Sequence, residues 1–264
     1  GCTPHFTQDT VWFERFINDW EKDDYDFDEY NCMWEKTCEI TQLAVSKSAG
    51  EKYFVSLTDL SGVIDVMAHM RGGQNLCFDM VEKPEVVKKA RDKILEDWFR
   101  CLTALYNMTR ENNKGCMNRH GIWAPDLYYP LQCDFSALIS PKMFEEFVLP
   151  EIQEECKRMK YAEYHLDGQD ALKHLDCLLS IPELDAIQWQ PGVNGGPMVK
   201  WIPLLKKIQK AGKSIVLVDI EPDEVETIVD ELSPNGMFIS TKCQSKEEAL
   251  DLLRVVEAIG TRSG

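Results

Sequence analysis

The sequence lacks a cluster of basic residues, a long apolar run and a leader-like amino terminus. Its 45 acidic residues outnumber its 29 basic residues and give a formal net charge of −16. A nucleic-acid partner requires a basic face that neutralises phosphates, so this balance argues against one. No apolar run approaches the roughly 20 residues that span a bilayer, and a signal peptide is not recognisable. The sequence therefore predicts a cytoplasmic protein with neither a nucleic-acid nor a membrane partner.

The sequence also lacks a CxxC pair, which argues against a zinc ribbon and against a thioredoxin-like redox motif. Its 10 cysteines have no regular spacing, and the chain of 264 residues is far longer than a disulfide-rich miniprotein. We therefore expect most thiols to be reduced and buried. A hydrophobic content of 44% and an aromatic content of 10% favour a globular fold with a sizeable core.

The most informative stretch covers residues 161–192. It predicts a strand that ends in the sequence HLDG (165–168), a helix over residues 170–179, and a second strand over residues 185–190. Both strands carry polar side chains at their carboxyl ends. Ligands bind at this edge in parallel α/β sheets and barrels, because the loops that leave the strands form a crevice there. The pattern therefore predicts a functional site at these strand ends.

Strand and helix signals alternate regularly from residue 161 onward, which predicts parallel strands joined by helical crossovers. The predicted strands lie near residues 161–165, 185–190, 214–219 and 236–240. Earlier units over residues 53–70 and 118–159 raise the count to about six, whereas a closed barrel of this type has eight. Because the chain also begins without methionine, we expect the first strand–helix units of a barrel to be missing.

The remaining segments give less regular signals. Residues 12–20 have apolar side chains at helical spacing, Arg71-Gly72-Gly73 predicts a helix end, and residues 124–136 predict a long loop. Helices are predicted over residues 30–47, 62–70, 84–112 and 140–159, and a strand over residues 53–57.

Polar or reactive side chains follow each predicted strand, and parallel strands would direct all of them to one edge. They are Asp59, Trp123, Asp126, Asp134, His165, Asp167, Gln188, Gln190, Asp219, Glu221, Thr241 and Cys243. Histidine, aspartate and cysteine are ligands that zinc accepts, and a catalytic zinc needs only three protein ligands.

Each candidate also has a structural interpretation. His165 is compatible with a hydrogen-bonded residue at a strand end, Asp167 with a turn residue before glycine, and Cys243 with one more buried thiol. The aspartates after other strands are compatible with helix caps, and Trp123 with simple packing.

Four segments resemble the uroporphyrinogen decarboxylase superfamily, and the resemblance extends over nearly the whole chain. They are CDFSALISPKMFEEF (133–147), HLDG (165–168), DAIQWQPG (185–192), and a segment with RG at 71–72, CFD at 77–79 and PE at 84–85. The resemblance implies an α/β fold of the TIM-type (β/α)8 barrel class. Residues 1–264 would then be a single barrel domain whose amino-terminal part is absent.

The chain looks most similar to the branch of zinc-dependent methyltransferases that work with corrinoid proteins. That branch holds zinc with a His-x-Cys pair and a later cysteine. His165 and Cys243 match two of these ligands, and Asp167 stands where the first cysteine is expected. The resemblance implies zinc, a corrinoid supplied by a partner protein, and a small-molecule methyl donor or acceptor. Asp167 is also the predicted catalytic residue, because a carboxylate makes the metal more electrophilic than a second thiolate would.

Six further residues are predicted to bind or orient the substrate. They are Asp59, Trp123, Asp134, Gln188, Gln190 and Glu221. Two other functions stay open at the level of sequence: a metal-free lyase acting on a tetrapyrrole, and a binding subunit without catalysis. Residues 240–243 read STKC where true uroporphyrinogen decarboxylases carry Gly-His-Gly, and the arginine-rich motif of those enzymes is not located. A homodimer is compatible with the sequence.

Overall fold

The structure, a computed structural model, describes residues 2–8, 11–48 and 52–260. The chain divides into two compact units, Gly1–Tyr161 and Ala162–Gly264. The first is mostly helical with short strands, and the second combines parallel strands with helices, so the fold is mixed α/β. Within the described ranges, no helix combines the length and the apolar character needed to cross a membrane.

The first unit contains two antiparallel strand pairs, β1 with β2 and β3 with β4, and a further strand, β5. The strands are β1 (Pro4–Phe6), β2 (Val11–Phe13), β3 (Cys116–Met117), β4 (Trp123–Ala124) and β5 (Tyr128–Gln132). The helices are α1 (Cys32–Ser48), α2 (Val63–Arg71), α3 (Gly73–Glu82), α4 (Pro84–Asn113), α5 (Pro141–Met143) and α6 (Leu149–Arg158).

The long helix α4 confirms the prediction for residues 84–112. Proline at its first position fixes a helical φ where no backbone N–H is needed. Lys114 adopts a left-handed conformation with φ 50° at the carboxyl end. Gly115 follows with φ 149°, and a Cβ atom there would lie 2.3 Å from the backbone oxygen of Ala124. Only glycine therefore permits the close approach of α4 to the β3–β4 hairpin.

An ion pair joins α2 to α3 within the segment that carries RG and CFD. The Arg71 Nε lies 2.6 Å from the Asp79 Oδ2, and the Trp20 Nε1 donates to the same oxygen at 3.0 Å. Gly72, with φ 86°, lets the chain turn between the two helices. The sequence predicts the end of α2 correctly but misses α3, because two successive glycines are typical of a loop.

Removing the charge of Asp79 should destabilise the first unit. In an Asp79→Asn variant, the largely buried guanidinium of Arg71 loses its counter-charge, which should cost about 2–4 kcal/mol of unfolding free energy. Urea denaturation measures this loss. The control is Asp97→Asn, which breaks only a surface pair with Arg100 and should cost less than about 1 kcal/mol. Equal losses in both variants would contradict a structural role for the Arg71–Asp79 pair.

Two amino-terminal predictions are wrong. The helix predicted over residues 12–20 is absent: residues 11–13 form β2, and no helix follows up to residue 20. Trp12 and Phe13 are exposed, so the apolar spacing does not correspond to one buried face of a helix. Residues 53–57 form no strand. Their hydrogen bonds go elsewhere: both backbone groups of Val55 bond to the side chain of Asn113, at 2.9 and 2.8 Å.

The predicted loop over residues 124–136 contains the buried strand β5. Pro130 lies within this strand and suggested a loop, because proline donates no backbone hydrogen bond to a ladder. The loop prediction is therefore wrong for residues 128–132, where all five side chains are buried. The predicted helix over residues 140–159 is confirmed as α5, a π turn (Phe144–Val148) and α6.

The second unit confirms the alternation predicted from residue 161 onward. Neighbouring strands pair in parallel from β6 through β7 and β8 to β9. The strands are β6 (Tyr161–Asp167), β7 (Ala186–Gln190), β8 (Ser214–Ile220) and β9 (Met237–Thr241). The helices are α7 (Leu175–Leu179), α8 (Ile202–Lys210), α9 (Pro222–Glu231) and α10 (Lys246–Gly260). The closed eight-stranded barrel and the single domain over residues 1–264 stay predictions.

Side-chain alternation along β6 and β7 separates an apolar face from a polar face. Tyr164, Leu166 and Trp189 are buried on the apolar face. Successive strand residues point to opposite sides of the sheet. The neighbouring side chains of His165, Asp167, Gln188 and Gln190 therefore lie on the polar face. The core of the second unit therefore fixes which side of the sheet carries polar groups.

Candidate functional site

The polar face of β6 carries His165 and Asp167, which are separated by one residue and therefore point the same way. One ring nitrogen of His165 and one carboxylate oxygen of Asp167 lie within 4.8 Å of each other. Both side chains are partly exposed at the carboxyl end of the strand. The structure thus brings together the two strand-borne ligands that the sequence predicts, in a position that a ligand can reach.

Gln188 is the residue on β7 directly opposite His165 in the strand register. Its side-chain oxygen contacts the Nδ1 of the imidazole. An amide oxygen can only accept a hydrogen bond, so Nδ1 carries the proton and the lone pair resides on Nε2. Ligating histidines are commonly oriented in this way by an acceptor on the other ring nitrogen. The contact gives Gln188 a role in orienting His165. Substrate binding by Gln188 stays a prediction.

The turns after β6 and β7 are joined by their backbones. Asp167 pairs with Gln190 in the register, and the Gly168 N–H donates to the Gln190 carbonyl at 2.8 Å. Gly168 has φ 77° and Gly192 has φ 76°, a conformation that favours glycine. A Cβ atom on Gly192 would lie 3.7 Å from the Cα of Gly168. The glycines in HLDG and QPG therefore permit a tight junction beside the His165–Asp167 pair.

Cys243 lies two residues beyond the end of β9, in the loop before α10. Among the described residues of the second unit, no further His, Cys, Asp or Glu places a ligand atom within 4.8 Å of both members of the His165–Asp167 pair. Cys243 lacks the strand ladder that fixes His165 and Asp167, so strand periodicity alone does not determine its position. The complete set of His165, Asp167 and Cys243 stays a prediction.

An ion pair lies at the carboxyl ends of β8 and β9. The Lys242 Nζ is 2.8 Å from the Asp219 carboxylate. Asp219 adopts φ 54° at a register irregularity between the two strands, and its N–H donates to the Ser240 Oγ at 3.2 Å. Glu221 follows as the exposed residue that precedes α9. The order of charges along the sequence does not reveal this pair, because Asp219 lies on β8 and Lys242 follows β9.

Asp59 is surrounded by hydrogen-bond donors within the first unit. Its carboxylate accepts from the Tyr129 hydroxyl at 3.2 Å and from the Ser61 N–H at 2.9 Å, and it contacts the Arg119 guanidinium. The Tyr129 oxygen in turn accepts from the Leu60 N–H at 2.6 Å. These bonds fix the turn that leads into α2. Arg119 is 60 residues away in sequence, and no local pattern predicts the contact.

Asp134 begins a short 3-10 helix (Asp134–Leu138), and its side chain is exposed. The carboxylate of Asp65 accepts from the Asp134 N–H at 3.0 Å and from the Phe135 N–H at 2.8 Å, so it caps this helix. Trp123, another predicted substrate contact, donates from its indole nitrogen to the Asn113 carbonyl at 2.9 Å. Substrate binding by Asp134 and Trp123 stays a prediction.

A comparison with solved structures finds a methyltransferase from Methanosarcina mazei. The superposition covers 99% of this chain and 75% of that chain, with a TM-score of 0.66 and a sequence identity of 13%. Models of protein families give no match. Curated protein sequences give none either. At this identity the likeness shows a shared fold.

Proposed function

We propose that this protein is a zinc-dependent methyltransferase that moves a methyl group between a small molecule and a corrinoid. The observation that carries the proposal is the orientation of His165 by Gln188 with Asp167 on the same face. The shared fold with a methyltransferase supports the same reaction class.

The donor set fits zinc chemically, because imidazole nitrogen, carboxylate oxygen and thiolate sulfur are all zinc ligands. His165 would bind through Nε2, Asp167 through its carboxylate, and Cys243 from the loop after β9. Zinc bound there would lower the pKa of a thiol or oxygen of the substrate and stabilise the anion. The chain itself contributes the fixed imidazole tautomer of His165 and the carboxylate of Asp167 on the same strand face.

Other residues would serve the substrate and the partner. Gln190, next to the Gly168–Gly192 junction, would orient the small molecule. The net charge of −16 favours a corrinoid partner with a basic docking surface, because opposite charges accelerate association.

Elemental analysis combined with a methyl-transfer assay tests the proposal. The purified protein is supplied with zinc, dialysed, and assayed with methylcobalamin as donor and a small thiol as acceptor. We expect one zinc per chain and loss of the methylcobalamin absorption with time. Zinc-free protein that binds a porphyrinogen would favour the lyase, and protein that binds neither metal nor substrate would favour a non-catalytic subunit. Either result would overturn the proposal.

A Gln188→Leu variant should weaken zinc binding by about 10–100-fold, the usual cost of removing the partner of a ligating histidine. Leucine fills a similar buried volume but leaves Nδ1 of His165 without its amide acceptor. Competition with a chromophoric chelator measures the affinity. Gln190→Leu is the matched control on the same strand face and should keep the zinc affinity within about threefold. Equal losses would contradict a specific role for Gln188.

A further inference from the structure

A second group of titratable side chains is buried in the first unit. Glu151 and Glu155 lie one turn apart on α6 and are 1% and 2% exposed. Asp65 on α2 is 6% exposed and its charge acts on both glutamates. This carboxyl cluster (Asp65, Glu151 and Glu155) includes none of the residues discussed for zinc.

Hydrogen bonding inside the carboxyl cluster is incomplete. Both carboxyl oxygens of Glu151 are fully buried and neither has a hydrogen-bond partner in good geometry; the backbone N–H of Ile64 is the donor that acts on them. An ionised carboxylate in such a position would cost several kcal/mol, whereas the neutral acid costs far less. Asp65 differs, because its oxygens accept the backbone N–H groups of Asp134 and Phe135.

Positive charge near the carboxyl cluster is insufficient to neutralise it. Arg91 on α4 is the cation that acts on Glu151, but its Nη1 donates to the Phe147 carbonyl at 3.0 Å and its other nitrogens bond to Asp92. Two further ionisable groups act on the cluster, and both are acidic. They are the buried thiol of Cys133 and the carboxylate of Asp134.

We infer that Glu151 and Glu155 form a buried proton-binding site that keeps the first unit stable only while they are protonated. The site binds protons from solvent and needs no other ligand. The inference is independent of the proposed methyl transfer, because neither glutamate belongs to that site.

The direction of the pKa shifts agrees with this geometry. Burial, together with the charge of Asp65, raises the pKa of Glu155 to about 8. Burial and then the Glu155 charge raise the pKa of Glu151 well above its ordinary value, and Arg91 and the Ile64 N–H only partly oppose this. The unfolded chain releases these protons near pH 4.3, the ordinary value for glutamate. Between that pH and about pH 8 the folded chain holds more protons, so its stability falls as the pH rises through this range.

Thermal unfolding of the full chain between pH 5 and pH 8.5 tests the inference. The wild-type Tm should fall by roughly 5–10 °C across this range, and Glu155→Gln and Glu151→Gln should each flatten the decline and raise the Tm at pH 8. Glu154→Gln is the matched control, since it removes a charge from the same helix at a partly exposed position. A decline that is unchanged in both glutamate variants would overturn the inference.

Infrared spectroscopy of the wild type gives a second test that does not depend on the variants folding. At pH 7.5 exposed carboxyl groups are ionised, so a remaining carboxylic acid absorption should come from the buried pair. Absence of this absorption would overturn the inference. So would a rise in Tm at pH 8 on adding Mg²⁺ or K⁺ without that absorption, because the pair would then bind a metal ion instead of protons.

Discussion

A His165→Ala variant should lose zinc and methyl-transfer activity together. The affinity for zinc should fall by more than about 100-fold. Loss of the hydrogen-bond partner of a ligating histidine already lowers metal affinity by about 10–100-fold, and loss of the ligand itself should lower it further. The variant also removes the hydrogen bond between His165 and Gln188. Zinc content after dialysis and the rate of methylcobalamin consumption measure the two losses.

The control for this prediction is His5→Ala. His5 is exposed in the first unit and its Nε2 lies 3.1 Å from the Glu14 carboxylate. This substitution should leave zinc content and activity unchanged. If His165→Ala kept its zinc and its fold, the assignment of His165 as a ligand would be wrong.

A Trp189→Ala variant should have the largest effect on stability. The Trp189 ring is 0% exposed and packs edge-to-face against Trp201, with ring centroids 5.0 Å apart. Removing a buried aromatic side chain costs about 3–5 kcal/mol, through lost burial and the cavity that remains. Because Trp189 lies between Gln188 and Gln190 on β7, the variant should also loosen the polar face. Urea denaturation followed by far-UV circular dichroism measures the loss.

Trp12→Ala is the control for Trp189→Ala, because Trp12 is also a tryptophan but is 64% exposed. Its unfolding free energy should change by less than about 0.5 kcal/mol. A stability loss in Trp12→Ala as large as in Trp189→Ala would show that exposure does not decide the energetics of these side chains. The alternation assigned to β7 would then lose its support.

Sequence periodicity predicted the second unit well and the first unit less well. From residue 161 onward, apolar strands and amphipathic helices alternate with clear turn signals, so local patterns and the fold agree. In the first unit, β5 contains Pro130 and α3 begins at a pair of glycines, and both features normally argue against a regular element. Packing within the unit overrides these local preferences.

The candidate site was predictable where a strand fixes the side-chain direction. His165 and Asp167 alternate on one strand, so their spacing alone places them on the same face. The contact between His165 and Gln188 depends on the parallel register of β6 and β7, which the sequence does not specify. Cys243 follows its strand in a loop, and a loop position cannot be deduced from periodicity.

X-ray absorption at the zinc edge of the zinc-loaded protein identifies the atoms that bind the metal. We expect a low-coordinate zinc bound by imidazole nitrogen, carboxylate oxygen and one sulfur, and loss of the imidazole signal in His165→Ala. A zinc shell made only of water oxygens, or an imidazole signal that persists in His165→Ala, would contradict this expectation.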